Sequence, residues 1–205
     1  MTKNDLKLFI LVGVVALIIV FINQVAYVVR ADNKSQTIQV TVTTTLTFNL
    51  ATNTVPLGIL TPGTPITATT SCAVETNSSS GWQLSVKRDD ATSTLDLDSD
   101  ESIDFPDATA WNGSDNSTDT PGANLSFRVY QTDTTPSGLY KSAYWGTNDA
   151  SPKWAGFPPT SQMIASIDNY QSGTQTVVYG FRIDAPSSQA SGAYSGSITL
   201  TALAI

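Results

Sequence analysis

Apolar and polar side chains alternate along residues 37–50, which read TIQVTVTTTLTFNL. Apolar residues stand at every second position except Thr44, and this period of two predicts a strand with one buried face. A strand usually has about 5 to 6 residues, so this length indicates two strands in line. The interruption at residues 43–45 separates a first segment, 37–42, from a second, 46–50.

Further short apolar segments follow, separated by turns rich in Gly, Pro, Asn and Ser, and each predicts a strand. Segment 55–60 contains Pro56 and is typical of a sheet edge. This number of strands suffices for two packed sheets. We therefore predict an all-β chain with a single Ig-like or jelly-roll-type two-sheet β-sandwich over residues 45–205. The predicted strands are 46–50, 55–60, 66–74, 82–86, 125–129, 176–183 and 197–204.

Two long stretches show no strand pattern. Residues 89–122 are polar, and we expect a loop there. Residues 134–170 are irregular but rich in aromatic side chains, which we expect to cover an open end of the core. A patch that stacks on sugars or binds a partner is the alternative. The aromatic residues in question are Tyr140, Tyr144, Trp145, Trp154 and Phe157.

The N-terminus has the pattern of a secretory signal peptide. Lys3 and Lys7 precede the uncharged apolar run 8–22, and Ala31 is a small residue where signal peptidase would cut. We predict a helical signal peptide over residues 1–31. The apolar run is shorter than the roughly 20 residues that span a bilayer, but extending it to Val29 leaves an uncleaved membrane anchor as the alternative. We expect membrane contact only during export or if the signal is retained.

The chain is acidic, with a net charge of −7 that becomes −9 when residues 1–31 are removed. Such a surface repels phosphate backbones, so we expect no nucleic-acid partner. Cys72 is the only cysteine, which excludes an intramolecular disulfide. We expect its thiol to be buried on a strand, and a reactive thiol or an intermolecular bridge is the alternative.

The residue types present argue against an enzyme. There is no histidine, which removes Ser-His-Asp triads and histidine metal sites. Carboxylates for glycoside hydrolysis remain, but they cluster in a polar loop without the apolar enclosure that raises the pKa of a catalytic acid. We therefore predict no catalytic residues and no cofactor.

The acidic loop copies part of the ligand spacing of an EF-hand. Its carboxylates occupy positions 1, 3, 5, 9 and 12 of such a loop. However, Glu101 stands where the turn needs glycine, Pro106 intrudes, and neither flank looks helical. A solvated loop is the preferred interpretation, and a weak Ca²⁺ site is the alternative. The candidate ligands are Asp96, Asp98, Asp100, Asp104 and Asp107.

Five Asn-X-Ser/Thr sequons follow the predicted signal peptide, and they predict N-linked glycans on surface loops. They begin at Asn33, Asn77, Asn112, Asn116 and Asn124.

Three elements carry a resemblance to a known group of proteins. They are the turn Gly58-Ile-Leu-Thr-Pro-Gly63, the element Asn77-Ser-Ser-Ser-Gly81-Trp-Gln-Leu and the closing Ser191-Gly-Ala-Tyr-Ser-Gly-Ser-Ile-Thr-Leu-Thr201. With the export signal and an early first strand, they resemble secreted β-sandwich surface proteins of prokaryotes. The chain is similar in particular to the glycosylated subunits of archaeal thread filaments and bundling pili, and more distantly to camelysin-like biofilm fibre proteins.

The resemblance implies polymerisation by donor-strand complementation. The N-terminal strand of one subunit would fill a groove in the next, giving a head-to-tail homopolymer at the cell surface. Residues 32–44 would be the donor strand and its linker, with Ile38, Val40 and Val42 in the groove. Other cells or surfaces would be further partners of this secreted, extracellular filament, in adhesion or biofilms.

Two other functions remain open. The preferred alternative is a membrane-anchored or monomeric cell-surface module for binding or adhesion, or a coat component. A secreted hydrolase is the least favoured.

Overall fold

The computed structural model describes residues 3–25, 36–114, 116–131 and 142–205. The chain divides into two compact units, residues 1–42 and 43–205, each considered by itself. The first unit contains helix α1, Lys3–Val25, and the predicted cleavage position at Ala31 lies outside the described residues. Among the helices that the structure describes, none combines the length and the hydropathy needed to cross a membrane.

The second unit is an all-β sandwich built from antiparallel strands, with one short helix. Its strands form a sheet in the order β1-β2-β8-β6, a sheet in the order β10-β3-β7, and a small sheet in the order β5-β4-β9. The elements are β1 Leu46–Leu50, β2 Ile66–Thr76, β3 Trp82–Arg88, β4 Leu95–Leu97, β5 Asp100–Phe105, β6 Leu125–Val129, α2 Ser142–Trp145, β7 Gln162–Ile167, β8 Gln175–Ile183, β9 Tyr194–Ser195 and β10 Ile198–Ala204.

The two larger sheets share one hydrophobic core. Period-two alternation places Leu84 and Val86 of β3 in this core, together with Val177 and Tyr179 of β8. Because strands of both sheets contribute side chains to the same cluster, the sheets are the two layers of the sandwich.

Two glycines shape the turns at opposite ends of β2. Gly63 has a φ of +79° in the turn 61–64, where the Thr64 amide donates to the Thr61 carbonyl, as a Pro-Gly type II turn requires. Gly81 has a φ of +87°, and a Cβ there would lie 1.8 Å from the Ile167 carbonyl oxygen. The turn 77–81 between β2 and β3 therefore needs glycine at this position.

Aromatic side chains close one margin of the sandwich, beside β6. Phe127 stacks on Phe157 with their ring centroids 4.5 Å apart, and Trp145 packs on the other side of Phe127. Trp145, Trp154 and Phe157 are all buried. For these three residues the prediction that the aromatic stretch covers the core is confirmed, whereas Tyr140 lies outside the described residues.

A buried arginine helps to hold this closed margin together. The Arg128 side chain on β6 is almost wholly buried, and its Nη2 lies 2.7 Å from Asp149 Oδ1. Its guanidinium group also lies 4.4 Å from the ring centroid of Tyr130. The charged hydrogen bond thus ties the loop that contains Asp149 to β6, and the cation–π contact packs the guanidinium group against Tyr130, which directly follows β6.

Most predicted strands of the sandwich are confirmed to within two residues. Residues 37–42, predicted as a strand, belong to no strand in the structure, and the two-residue strand β9 was not predicted. Three further segments differ. Segment 55–60 forms no strand because Pro56 has no amide hydrogen and Gly58 has a φ of +80°. Residues 89–122 are not simply a loop, since they contain the hairpin β4–β5. Strand β7 lies within a stretch predicted to be irregular.

Cys72 lies on β2, buried between Leu50 of β1 and Val177 of β8. Burial raises the pKa of its thiol to about 12, so we expect it not to react with a thiol reagent at pH 8 while the protein is folded. One thiol per chain should react after unfolding in guanidinium chloride. Thr69→Cys in a Cys72→Ser chain is the control, because residue 69 is exposed on the same strand and should react at once.

Labelling of native Cys72 at the rate of that control would contradict the burial of the thiol.

Candidate functional site

The burial of β2 changes along its length. Its core-facing residues Cys72 and Val74 are fully buried, whereas Ile66, Ala68 and Thr70 on the same face are only half-buried. The change coincides with the end of β1, whose last residue pairs with Cys72. In the described chain no strand continues β1 along the first half of β2, so the sheet edge there is uncovered.

Strand β1 presents an unpaired edge of its own. The Ala51 amide donates to the Ser71 carbonyl at 2.9 Å. Because residues that bond to β2 alternate along the strand with residues that do not, this bond identifies both sets. The main-chain groups of Leu46, Phe48 and Leu50 therefore point away from β2. Their side chains face the core but are poorly covered, and Leu50 is 41% exposed.

Strand β10 presents the same arrangement on the opposite sheet. The Asp89 amide donates to Ser197, and the Ile205 amide donates to Gly81. By the same alternation, the main-chain groups of Ile198, Leu200 and Ala202 point away from β3. The side chains of these residues pack against the core and are only half-buried, although Val86 and Leu84, the β3 partners of Leu200 and Ala202, are buried.

These edges lie at one margin of the sandwich, because β1 and β10 contact each other. We call this region the open margin and define it as the outer edges of β1 and β10 together with residues 66–70 of β2. The opposite margin, beside β6, is closed by the bridge between Phe127 and Ala155. Within the described residues, the sandwich is therefore covered at one margin and has no strand paired to the outer edges of β1 and β10 at the other.

Segment 55–60 packs beside the core without joining a sheet. Val55, Leu57 and Leu60 pack against the core and are half-buried. Its main chain makes no hydrogen bond to another described residue. The segment covers apolar surface, but it leaves the donors and acceptors of the neighbouring strand edges unsatisfied by protein.

The predicted donor segment 37–42 exposes its apolar side chains. Ile38, Val40 and Val42 are 88%, 86% and 75% exposed. Residues 37–42 are not part of a strand in the structure. Isolated exposed apolar residues are common, but three at alternate positions of one short segment would form an uncovered apolar face if the segment became a strand.

Residues 43–45, which follow this segment, are held by the sandwich. The Asn77 side chain accepts a hydrogen bond from the Thr45 amide at 2.7 Å and donates to the Thr43 carbonyl at 2.9 Å. The Thr76 hydroxyl donates to the Thr45 carbonyl at 2.6 Å. The second unit accordingly begins at Thr43, and the chain enters β1 from a fixed position at the turn 77–81.

The candidate calcium ligands lie on the hairpin β4–β5 and its flanks, with Asp96 opposite Asp104 across the two strands. An EF-hand loop wraps its ligands around one ion, and an extended hairpin does not. Within the described residues, no group of three or more acidic or cysteine side chains could hold a metal ion. Four of the candidate carboxylates accept hydrogen bonds from hydroxyl groups: Asp96 from Ser93, Asp98 from Ser195, Asp100 from Ser102 and Asp104 from Thr92.

Asp107 pairs with other side chains of the sandwich. Its Oδ2 lies 2.9 Å from Arg88 Nη1 and accepts a hydrogen bond from the Thr94 hydroxyl at 2.8 Å. Its Oδ1 is buried and has no hydrogen-bond partner among the described residues. Burial raises the pKa of the Asp107 carboxyl above its ordinary value of 3.8, although Thr94 and Arg88 act in the opposite direction.

The sequence prediction named a donor segment but not the strand edges that would receive it. The residues it missed are those of the open margin, above all Ile198, Leu200 and Ala202. The alternation in the closing strand was visible in the sequence. The sequence did not show that the outer edge of this strand would have no neighbouring strand in the described chain, because strand order depends on contacts between distant segments.

The predicted sequons occupy different settings. Asn33 lies outside the described residues, Asn77 is in the turn between β2 and β3, and Asn124 immediately precedes β6. Asn112 and Asn116 lie in the segment between β5 and β6. Comparison of the chain with known protein families and with curated proteins gives no match.

The raised pKa of Asp107 gives a signed prediction for stability against pH. The ionised Asp107 carboxylate is disfavoured in the folded state. The stability that the protonated carboxyl contributes is therefore fully present below pH 3.8 and is lost as the pH rises through the folded-state pKa. We expect the free energy of unfolding of the wild type, relative to Asp107→Asn, to fall between pH 3 and pH 7. Urea titrations of both proteins across this range measure the difference.

A relative gain in wild-type stability with rising pH would contradict this prediction. It would mean that the Arg88 ion pair outweighs the cost of burying the carboxylate.

Proposed function

We propose that the protein is a structural subunit of an extracellular surface filament, in which residues 37–42 of one copy add as a strand to the open margin of the next. One observation carries the proposal: the same chain has an exposed, alternating apolar segment and an unpaired strand edge over a half-covered apolar face. Strand addition would pair the main-chain groups of the free edge and would bury the alternate apolar side chains of the segment.

The edge of β10 suits this donor best. Six extended residues span roughly 20 Å, and β10 offers its free edge over Ile198–Ala204. A strand paired there would direct one of its faces towards the half-buried side chains of β1 and β10. Burying one Val or Ile side chain contributes about 1.5–3 kcal/mol, so three of them supply a large share of a stable contact.

A second copy is a more suitable recipient than the chain's own sandwich. Asn77 and Thr76 hold the backbone of residues 43 and 45, which leaves no free loop for a hairpin between segment 37–42 and β1. Charge also permits assembly. Neither segment 37–42 nor Ile198–Ala204 contains a charged residue, so acidic subunits would meet through neutral surfaces.

A charged side chain introduced into the donor segment tests the proposal. Val40→Asp would bring a carboxylate into the apolar groove, and we expect it to abolish filaments while the sandwich keeps its unfolding midpoint. Thr41→Asp is the matched control, because neighbouring residues of a strand face opposite sides and residue 41 would point away from the groove. Electron microscopy of material sheared from producing cells gives the readout.

Filaments of normal length from the Val40→Asp chain would refute the donor role. Determining the native N-terminal residue adds an independent check. A start near Asp32 supports release of the donor segment. An intact Met1, with only monomeric or membrane-bound protein in the sheared material, would favour the anchored surface module instead.

A further inference from the structure

We infer that Asn112 is the sequon asparagine that the folded chain offers for N-glycosylation, and that its other described sequons are withheld by hydrogen bonds of their own. This inference is independent of the filament proposal. It rests on the state of each side-chain amide nitrogen, Nδ2, which is the atom that forms the bond to the sugar.

The Asn112 side chain leaves its Nδ2 without a partner among the described residues. Residue 112 is exposed in the segment between β5 and β6. Its Oδ1 accepts hydrogen bonds from the Ser114 amide at 2.8 Å and from the Ser114 hydroxyl at 2.9 Å. No described residue accepts a hydrogen bond from its Nδ2. The asparagine and the sequon hydroxyl thus form a compact Asx turn, supported by Gly113 with a φ of +83°, and the nitrogen faces outward from it.

The Asn116 side chain is already hydrogen-bonded within the fold, although it lies in the same segment. Its Nδ2 donates to the Ala110 carbonyl at 2.8 Å, and its Oδ1 accepts from the Asn112 amide at 3.2 Å. The third residue of its sequon, Thr118, exchanges two main-chain hydrogen bonds with Trp154. The sequon of Asn112 is also hydrogen-bonded, but through its Oδ1 and its main-chain amide. At Asn116 an enzyme would have to break a hydrogen bond of the reacting nitrogen itself.

Asn124 is still less accessible. Its Nδ2 donates to the Pro121 carbonyl. The sequon then enters β6, where Leu125 and Ser126 are buried and the Ser126 hydroxyl donates to the Arg182 carbonyl at 3.2 Å. The hydroxyl that an oligosaccharyltransferase recognises is therefore inside the sheet.

Asn77 is exposed but already has a structural role. Its Nδ2 donates to Thr43 and its Oδ1 accepts from Thr45, so it holds the chain where it enters β1. Attaching a sugar to this nitrogen would place a bulky group against the Thr43 carbonyl. We therefore expect the folded chain to protect Asn77, whereas Asn33 lies outside the described residues.

The reaction is a group transfer from a lipid-linked oligosaccharide. A bond forms between Asn112 Nδ2 and C1 of the first sugar, while the bond from that C1 to the phosphate oxygen of the lipid carrier breaks. Nδ2 loses one proton, and the lipid phosphate departs with the bonding electron pair.

The test uses the folded full chain from a host without N-glycosylation, a purified oligosaccharyltransferase and its lipid-linked oligosaccharide. Intact mass and peptide mapping report which asparagine is modified. We expect modification at Asn112 at least tenfold above that at Asn77, Asn116 or Asn124. Asn112→Gln and Ser114→Ala should each remove it, with thermal melting used to confirm that both variants are folded.

Short synthetic peptides that contain each sequon are the control for sequence preference. We expect the enzyme to modify the peptides of Asn77, Asn116 and Asn124, because these lack the folded contacts. Equal modification of several asparagines in the folded chain would overturn the inference. So would a bare folded chain when the Asn112 peptide is modified, or unchanged glycan occupancy in Asn112→Gln.

Discussion

A strand edge has main-chain donors and acceptors that must bind either water or another strand, and this constraint governs the sandwich. At the margin beside β6, protein groups satisfy it, through the bridge to Ala155 and through the loop that Arg128 holds. At the open margin, the outward groups of β1 and β10 find no strand among the described residues. The apolar face beneath these edges is only half-buried. An edge over such a face is a site for strand addition unless charges or bulges protect it, and β10 has no charged residue.

The turn between β2 and β3 connects the two ends of the proposed contact. Asn77 holds the chain at residues 43–45, from which the donor segment leaves. The Ser78 hydroxyl donates to the Ile205 carbonyl, and the Gly81 carbonyl accepts the Ile205 amide, so the same turn fixes the end of β10. One short turn therefore sets the position of both the donor's exit and the acceptor edge. In the proposed filament each copy would supply both a donor segment and an acceptor edge, which is the condition for a head-to-tail contact that repeats.

The period-two pattern predicted most of the fold because β3 and most of β8 are regular strands, on which the alternation in the sequence and the alternation in burial coincide. Alternation failed for segment 55–60, where Pro56 removes the hydrogen bond that a strand needs. It also failed for β4 and β5, which are short and acidic and which form one sheet with the distant strand β9. For the site, the sequence indicated Ile38, Val40 and Val42. The acceptor edge could not be predicted, because an unpaired strand has the same local pattern as a paired one.

Hydrogen exchange at the β10 amides tests the central claim most directly. The amides of Leu200 and Ala202 point to the open margin, whereas the amide of Thr201 faces β3. In the Val40→Asp monomer, the account predicts fast exchange at residues 200 and 202 and slow exchange at residue 201. In assembled wild-type protein, all three amides should exchange slowly. Equal rates at residues 200 and 202 in the monomer and in the assembled protein would contradict strand addition at this edge.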